Sequence, residues 1–432
     1  MVLLVAIRLV YVAPFAIIQD VVAARQVING EPVPATAIQP LVRQALVSEP
    51  PPAMLDSSFP WLARVAPGLA KQEQQEHDDI PSIIQVQAHP PVATMFIVPF
   101  VFVLGIYKTS IALALLSLVS LGASLLMIAW GLNLKLSTSQ MVLCCSVFLG
   151  WYPMFLVIRS GQLGMLLSML VVAGWYNIQR NRPVLGGVAV GIASSLKLFP
   201  ALLLVYFLLR HRRACWAAIA TIILLNGATL AIVGQHFFVD YMETGRFVVD
   251  TYGADLDNWS LLGTLHHIGG IIGAPALASG PVFMAASLLM VAGISLVVLL
   301  GRPSSGRTDL EYSMFVVAMV FLSPTCWSHY YVLLLLPLAV IAVYVNKERS
   351  LPLLMFVGLL LVLAIPHSYH KVLLPIVEPY FGVRSGMGLV LLPSLAVLLT
   401  LLWLVALAWT SLGDRSDQPK EPVKTLHRGA FS

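Results

Sequence analysis

The sequence predicts an all-α polytopic membrane protein of about twelve transmembrane helices, with one re-entrant or interfacial segment and two loops on the outer face. Three observations carry this. Only 10% of the 432 residues are charged and 59% are hydrophobic, whereas a water-facing domain carries roughly 25% charged residues. Apolar runs recur from residue 91 to residue 410, many of them near the ~20 residues that cross a bilayer as a helix. Basic residues collect in short turns between these runs, as the positive-inside rule demands of one face.

The apolar segments are 2–18, 91–106, 109–130, 141–158, 163–178, 184–197, 199–209, 215–233, 275–300, 311–323, 329–345, 351–366 and 387–410. Residues 1–18 lack a basic leader and a small-residue cleavage site, so they read as a first span and not as a signal peptide. This span is short and carries Arg8, which fits either a start upstream of Met1 or a tilted helix leaning on its neighbours. The cytoplasmic turns are marked by Arg180 and Arg182, by Arg210, Arg212 and Arg213, by Arg302 and Arg307, by Lys347 and Arg349, and by Lys420 and Lys424 in the tail. The long loops 20–90 and 234–274 then fall outside. An odd number of crossings must separate loop 20–90 from Arg180, yet four apolar segments lie between them. The weakest is 91–106, short and interrupted by Pro99, and it is expected to dip into the outer face without crossing. Residues 1–410 form one transmembrane domain on this reading, and 411–432 a cytoplasmic tail.

Segments 184–197 and 199–209 together run from one basic turn to the next, with Lys197 and Pro200 between them. Two half-height helices meeting at an irregular turn must line a protein-walled cavity, because unpaired backbone is not tolerated against lipid. Segment 311–323 is also short and ends at Ser323-Pro324. The expected shape is a bundle with a cavity open to the outer side.

Ionisable residues within a membrane cost roughly 2.5–3.5 kcal/mol each on insertion scales and mark function by default. An unusual set gathers at the outer end of the bundle: Asp20, His89, Arg159, Gln162, Lys197, Asp257, Asn258, His266, His267 and His329. One carboxylate facing several cations suits transfer of a group from a phosphate-activated donor. The carboxylate takes the proton of an acceptor hydroxyl, and the cations stabilise charge on the departing phosphate. Asp20 and Asp257 are the carboxylates of this set. Lys197, His329, Arg159, His266 and His267 are candidate phosphate contacts, and Gln162, Asn258, Asp257 and His89 candidate sugar or acceptor ligands.

Plainer readings stand beside these. Arg159 also fits a side chain that snorkels to the interface, and His266 and His267 fit ordinary interfacial loop residues. Asp78 and Asp79 sit in a Gln/Glu-rich stretch that reads as a solvated face, and Asn258-Trp-Ser260 matches a glycosylation sequon of low specificity. The four cysteines form no CxxC pair, and no Walker loop, dinucleotide fingerprint or HExxH motif is present. No cofactor or metal is called for, and nothing suggests nucleic acid. A lipid or glycolipid transporter or flippase would use the same outward cavity, but it needs an alternating-access device, and no internal repeat is visible.

Several motifs occur in an order that resembles glycosyltransferase family 87, membrane enzymes that use polyprenyl-phosphate sugars. His89-Pro90-Pro91 is similar to the family's Pro-Pro element, and Gly161-Gln162 to its Gly-Gln element. Gly186-Gly187 through Lys197-Leu-Phe-Pro200 is similar to its Gly-rich helix with a Lys-x-x-Pro end. Asn258-Trp-Ser-Leu261 and Ser323 to Tyr330, with His329 in the histidine position, complete the series. The segment Asp20-Val-Val-Ala-Ala-Arg25, followed by Asn29-Gly30, resembles the family's catalytic Asp segment in part, which implies Asp20 as the catalytic base, with Asp56 and Asp79 as alternatives. Val21 and Val22 stand where aromatic residues are frequent, and His89 where Tyr is usual. The resemblance implies a GT-C type fold and an inverting transfer of a hexose, most simply mannose. It implies a polyprenyl-phosphate sugar donor, a lipid or glycan acceptor and surrounding membrane lipids as partners. It also implies a place in the bacterial cytoplasmic membrane with the site facing the periplasm.

Overall fold

A computed structural model of the chain describes residues 18–31, 38, 40–42, 44, 89–301, 305–345 and 391–413. Within these residues every regular element is a helix. In chain order they are α1 (Ile18–Asn29), α2 (Pro91–Gly131), α3 (Thr138–Leu149), α4 (Tyr152–Ser160), α5 (Gly164–Gln179) and α6 (Pro183–Leu196). A 3-10 turn over Phe199–Leu202 leads into α7 (Leu203–Arg210), followed by α8 (Arg212–Val233), α9 (Gln235–Tyr252) and α10 (Leu261–Ile272). A 3-10 turn at Pro275–Ala278 then precedes α11 (Gly280–Leu300) and α12 (Ser305–Phe321). A 3-10 helix over Ser328–Leu334 runs into α13 (Leu335–Val345), and the last described helix is α14 (Leu392–Gly413). Four of the described helices are long and apolar enough to cross a bilayer, or five if the bent pair Thr138–Leu149 and Tyr152–Ile158 is one span. This is an all-α membrane protein. The expected first span, segment 351–366, Asp56, Asp79 and the tail beyond 413 lie outside the described residues.

The structure sharpens several expectations. The run 91–130 is broken at Gly105, whose φ of 73° and ψ of −176° open the helix at a conformation glycine adopts without strain. The piece before the break, Pro91–Gly105, is roughly 22 Å long at 1.5 Å per residue, short of a ~30 Å hydrocarbon core. Segment 141–158, read as one span, is two helices bent by 75° at Gly150-Trp151, with Pro153 in the first turn of the second. Segment 311–323 is not short. Its helix starts at Ser305 and carries Arg307, Asp309 and Glu311, which made the apolar run look truncated. The loop 234–274 is mostly helical, as α9 and α10.

Small residues let the helices close on one another without a hydrophobic drive against lipid. A Cβ on Gly187 of α6 would meet the Ala214 carbonyl oxygen of α8 at 2.1 Å, and one on Gly191 would meet the Ala218 carbonyl oxygen at 2.8 Å. Gly186 and Gly174 bring α6 equally close to α5, and Gly131 of α2 makes room for the buried Trp175 ring of α5. The charged start of α12 is paid for by pairing. Glu311 accepts from Arg210 Nε at 2.9 Å and Nη2 at 2.8 Å, and from Arg307 Nε at 2.7 Å. The remaining guanidinium donors reach the Val297, Val298 and Gly301 carbonyls at the end of α11 and the Ala408 carbonyl of α14. Two arginines thus add donors to backbone carbonyls near the ends of α11 and α14. One carboxylate ties α7, α11, α12 and α14 together at the basic-turn end. Asp309 is held by Trp175 Nε1 at 2.9 Å and by Gln179 Nε2.

Candidate active site

Asp20 lies in the first turn of α1 and is fully buried. Because α1 packs on α2, the carboxylate meets the residue that precedes the two prolines opening α2. His89 Nδ1 stands 2.6 Å from Asp20 Oδ2, and Gln19 Nε2 is 3.4 Å from the same nitrogen. An ionised carboxylate at such depth is tolerated only with partners of this kind.

Lys197 ends α6 in extended conformation, φ −148° and ψ 141°, so its side chain leaves the helix where the backbone is irregular. The ammonium is buried and donates to the Tyr330 hydroxyl at 2.9 Å, 4.2 Å from the centre of that ring. Asp20 and Lys197 are both buried charged side chains, each paired with a residue from another part of the chain. Tyr330 belongs to a run of aromatic rings. Phe199 lies 5.4 Å from it, His329 4.5 Å edge-on, and Trp327 stacks on His329 at 5.9 Å with Tyr252 behind it at 5.7 Å. A cation beside aromatic faces is attracted by their quadrupoles, and the pairing strengthens when water is excluded.

Asn258 is the fully buried residue that holds this aromatic strip. Its Nδ2 donates to the Gly253 and Pro324 carbonyls at 3.0 Å each and to the Tyr252 carbonyl at 3.3 Å. Its Oδ1 accepts from the Cys326 and Ser260 backbone N–H groups at 2.9 and 3.2 Å. The Trp259 N–H reaches the Cys326 carbonyl at 2.8 Å, and Ser260 Oγ both donates to Pro324 O and caps α10 at Gly263 N. Both amide ends of Asn258 are committed to backbone and the residue has no exposed surface. Its work is to dock the loop before α10 onto the loop that leads to His329.

The other candidates sit as follows. Gln162 follows Gly161, whose φ of 63° ends α4 in the left-handed region. Its side-chain Oε1 is buried with no hydrogen-bond partner among the described residues, an acceptor open to a ligand. Asp257 is buried next to Asn258, its N–H bonded to Asp255 Oδ1 at 3.0 Å. His267 is buried with Nε2 3.1 Å from the Asp255 carbonyl, so its ring faces its own loop. His266 is half-buried, and burial pushes its imidazole below the ordinary range, which disfavours a standing positive charge there. Arg159 lies in the last turn of α4, with its side chain outside the described residues. Among the described residues no group of three or more His, Cys, Asp and Glu is clustered as a metal would require.

Residues 88–328 match the model of glycosyltransferase family 87. The chain belongs to this family. The matched stretch holds His89, Lys197 and Asn258, while Asp20 and His329 flank it. Among curated relatives, a polyprenol-phosphate-mannose-dependent alpha-(1-2)-phosphatidylinositol mannoside mannosyltransferase of Mycolicibacterium smegmatis is 32% identical over 44% of this chain and 44% of its own. The protein of the same name from Mycobacterium tuberculosis is 25% identical over 62% of this chain and 64% of its own. A pentamannoside mannosyltransferase of M. smegmatis is 27% identical over 60% and 61%. The chain thus spans between about half and two thirds of the length of these family members. No solved structure matches. Sequence reasoning missed Tyr330 as the partner of Lys197, although Tyr330 stands in the quoted motif, because a lysine–aromatic pair leaves no periodic trace.

Proposed function

We propose that this family 87 chain is a membrane glycosyltransferase that moves a hexose, mannose by analogy with its relatives, from a polyprenyl-phosphate donor to a lipid-linked acceptor at the outer face. The reading is supported by two buried charged side chains in a chain of membrane helices: Asp20, held against His89, and Lys197, held against Tyr330. In a single displacement Asp20 takes the proton of the acceptor hydroxyl as its oxygen attacks the anomeric carbon. The bond from that carbon to the phosphate oxygen breaks, its electron pair leaving on the polyprenyl phosphate. Inversion follows from one attack by the acceptor itself. Lys197 and His329 face the phosphate, whose developing charge a desolvated ammonium stabilises far better than water does. The open Gln162 acceptor receives a sugar or acceptor hydroxyl. The relatives' names point to a phosphatidylinositol mannoside as the acceptor to try first.

The test is purified protein given labelled polyprenyl-phosphate mannose and phosphatidylinositol mannosides, with product glycolipid and freed polyprenyl phosphate measured together. Asp20→Asn is expected to abolish transfer while donor binding and the melting profile persist. Near-wild-type turnover in Asp20→Asn removes Asp20 as the base. Movement of lipid without release of polyprenyl phosphate makes the protein a transporter.

A further inference from the structure

We propose that His89 is a positioning residue for the base, fixing which way the Asp20 carboxylate faces, rather than a ligand of sugar or acceptor. The proposal rests on Asp20 being the base. Three features of the structure point to it. The 2.6 Å approach of His89 Nδ1 to Asp20 Oδ2 joins two buried side chains 69 residues apart, so tertiary packing and not local sequence makes the pair. The torsion that turns a carboxylate is broad and two-fold, so an unrestrained aspartate spreads its oxygens over many directions. A donor on one oxygen narrows that spread and sets the direction of the other.

The third feature is the stiffness of the histidine's own seat. His89 precedes Pro90, which confines it to extended backbone. Pro90 itself is extended, φ −57° and ψ 149°, and Pro91 starts α2 with its ring in the first turn. Two consecutive prolines therefore hold the imidazole at the end of a rigid lever, with Gln19 at the side of the ring. With its proton on Nδ1, the imidazole donates to Oδ2. The acceptor's hydroxyl proton then passes to the other carboxylate oxygen as the acceptor oxygen bonds to the anomeric carbon and the phosphate leaves with the bonding pair. His89 neither gains nor loses a covalent bond in this step.

The test compares two substitutions at one position. Asparagine places an amide N–H donor close to where Nδ1 stands, and leucine fills the space without a donor. His89→Leu is expected to lower kcat by about 100-fold, the scale of a small misplacement of a reacting group, with the KM for polyprenyl-phosphate mannose unchanged. His89→Asn is expected to restore kcat to within roughly 10-fold of the wild type. Equal kcat in the two variants overturns the proposal. So does a loss confined to KM, which returns His89 to the role of a substrate ligand. Should His89→Leu not fold, as read by size-exclusion profile and melting, His89→Asn decides alone: activity near the wild type supports the proposal and background activity overturns it. Asp20→Asn is assayed alongside. If it is active, the base and its positioning fall together; if it is inactive while the His89 variants are equal, only the positioning falls.

Discussion

Replacing Asn258 with Asp separates a structural amide from a substrate-binding one. The substitution changes no volume and keeps an acceptor for the Cys326 and Ser260 N–H groups. It removes the donor that serves the Gly253, Pro324 and Tyr252 carbonyls and sets a carboxylate oxygen about where three carbonyl oxygens converge. Each buried carbonyl left without its donor costs about 1–3 kcal/mol. Two of the three stand at 3.0 Å and count fully, while the one at 3.3 Å counts for less. With the repulsion added, a loss of about 3–5 kcal/mol follows, unless the carboxyl takes up a proton and recovers part of it. In a chain of this size that is a fall of about 3–6 °C in melting temperature. The assay is thermal unfolding of purified protein in detergent, read with turnover on polyprenyl-phosphate mannose. Melting and kcat should fall together, because the Asn258 staple holds the loop carrying Trp327, His329 and Tyr330. A variant that melts with the wild type and shows only a raised KM refutes the staple and makes Asn258 a ligand.

Two further predictions concern the basic-turn end. Glu311→Gln keeps the shape of the side chain but leaves Arg210 and Arg307 buried without their shared carboxylate, a change expected to cost about 3–5 kcal/mol; unchanged melting would show that the carbonyls of α11 and α14 suffice for both guanidinium groups. On a background without native cysteines, single cysteines at the exposed positions Arg182 and Glu243 should react with a membrane-impermeant thiol reagent from opposite sides of sealed vesicles. Labelling of both from one side removes the inferred orientation.

The parts of the fold legible in the sequence are those with a local cause. Helix α6 begins at Pro183 after a basic turn and stops at Lys197, three residues ahead of Pro200, and both ends fall within a residue of where these signals put them. The start of α2 at Pro91 has the same origin. What stayed hidden has a tertiary cause. Residues 305–310 look too charged for an apolar helix until Arg210, Trp175 and Gln179 arrive from other elements to satisfy Glu311 and Asp309. The 75° bend at Gly150-Trp151 sits inside a continuous apolar run, where hydropathy carries no information about direction. At the site the same division holds. Lys197 stood out because a lone lysine within apolar sequence is costly. The partnership of His89 with Asp20 did not, because no spacing rule links residues 69 positions apart.

The candidate site lies where helices break, and the reason is physical. Inside a bilayer a backbone that leaves the helix must find partners in protein, so irregular segments gather on one another and exclude lipid. The extended residue ending α6, the turn 253–260 and the loop 322–328 do this here. Asn258 alone supplies four of the bonds their backbone needs, and a fifth to Tyr252 at the end of α9. The same irregular backbone frees Lys197 from a helical surface and sets Tyr330 against it, with His329 on the Tyr330 ring. Asp20 reaches this place on a separate helix, by way of a histidine fixed by two prolines. The carboxylate and the cation are thus carried by independent frameworks. Perturbing Asn258 should therefore displace the Lys197 side while leaving the Asp20–His89 pair in place, and perturbing His89 should do the reverse. In the double variant their effects on turnover should multiply, as they do for positions whose supports are not shared.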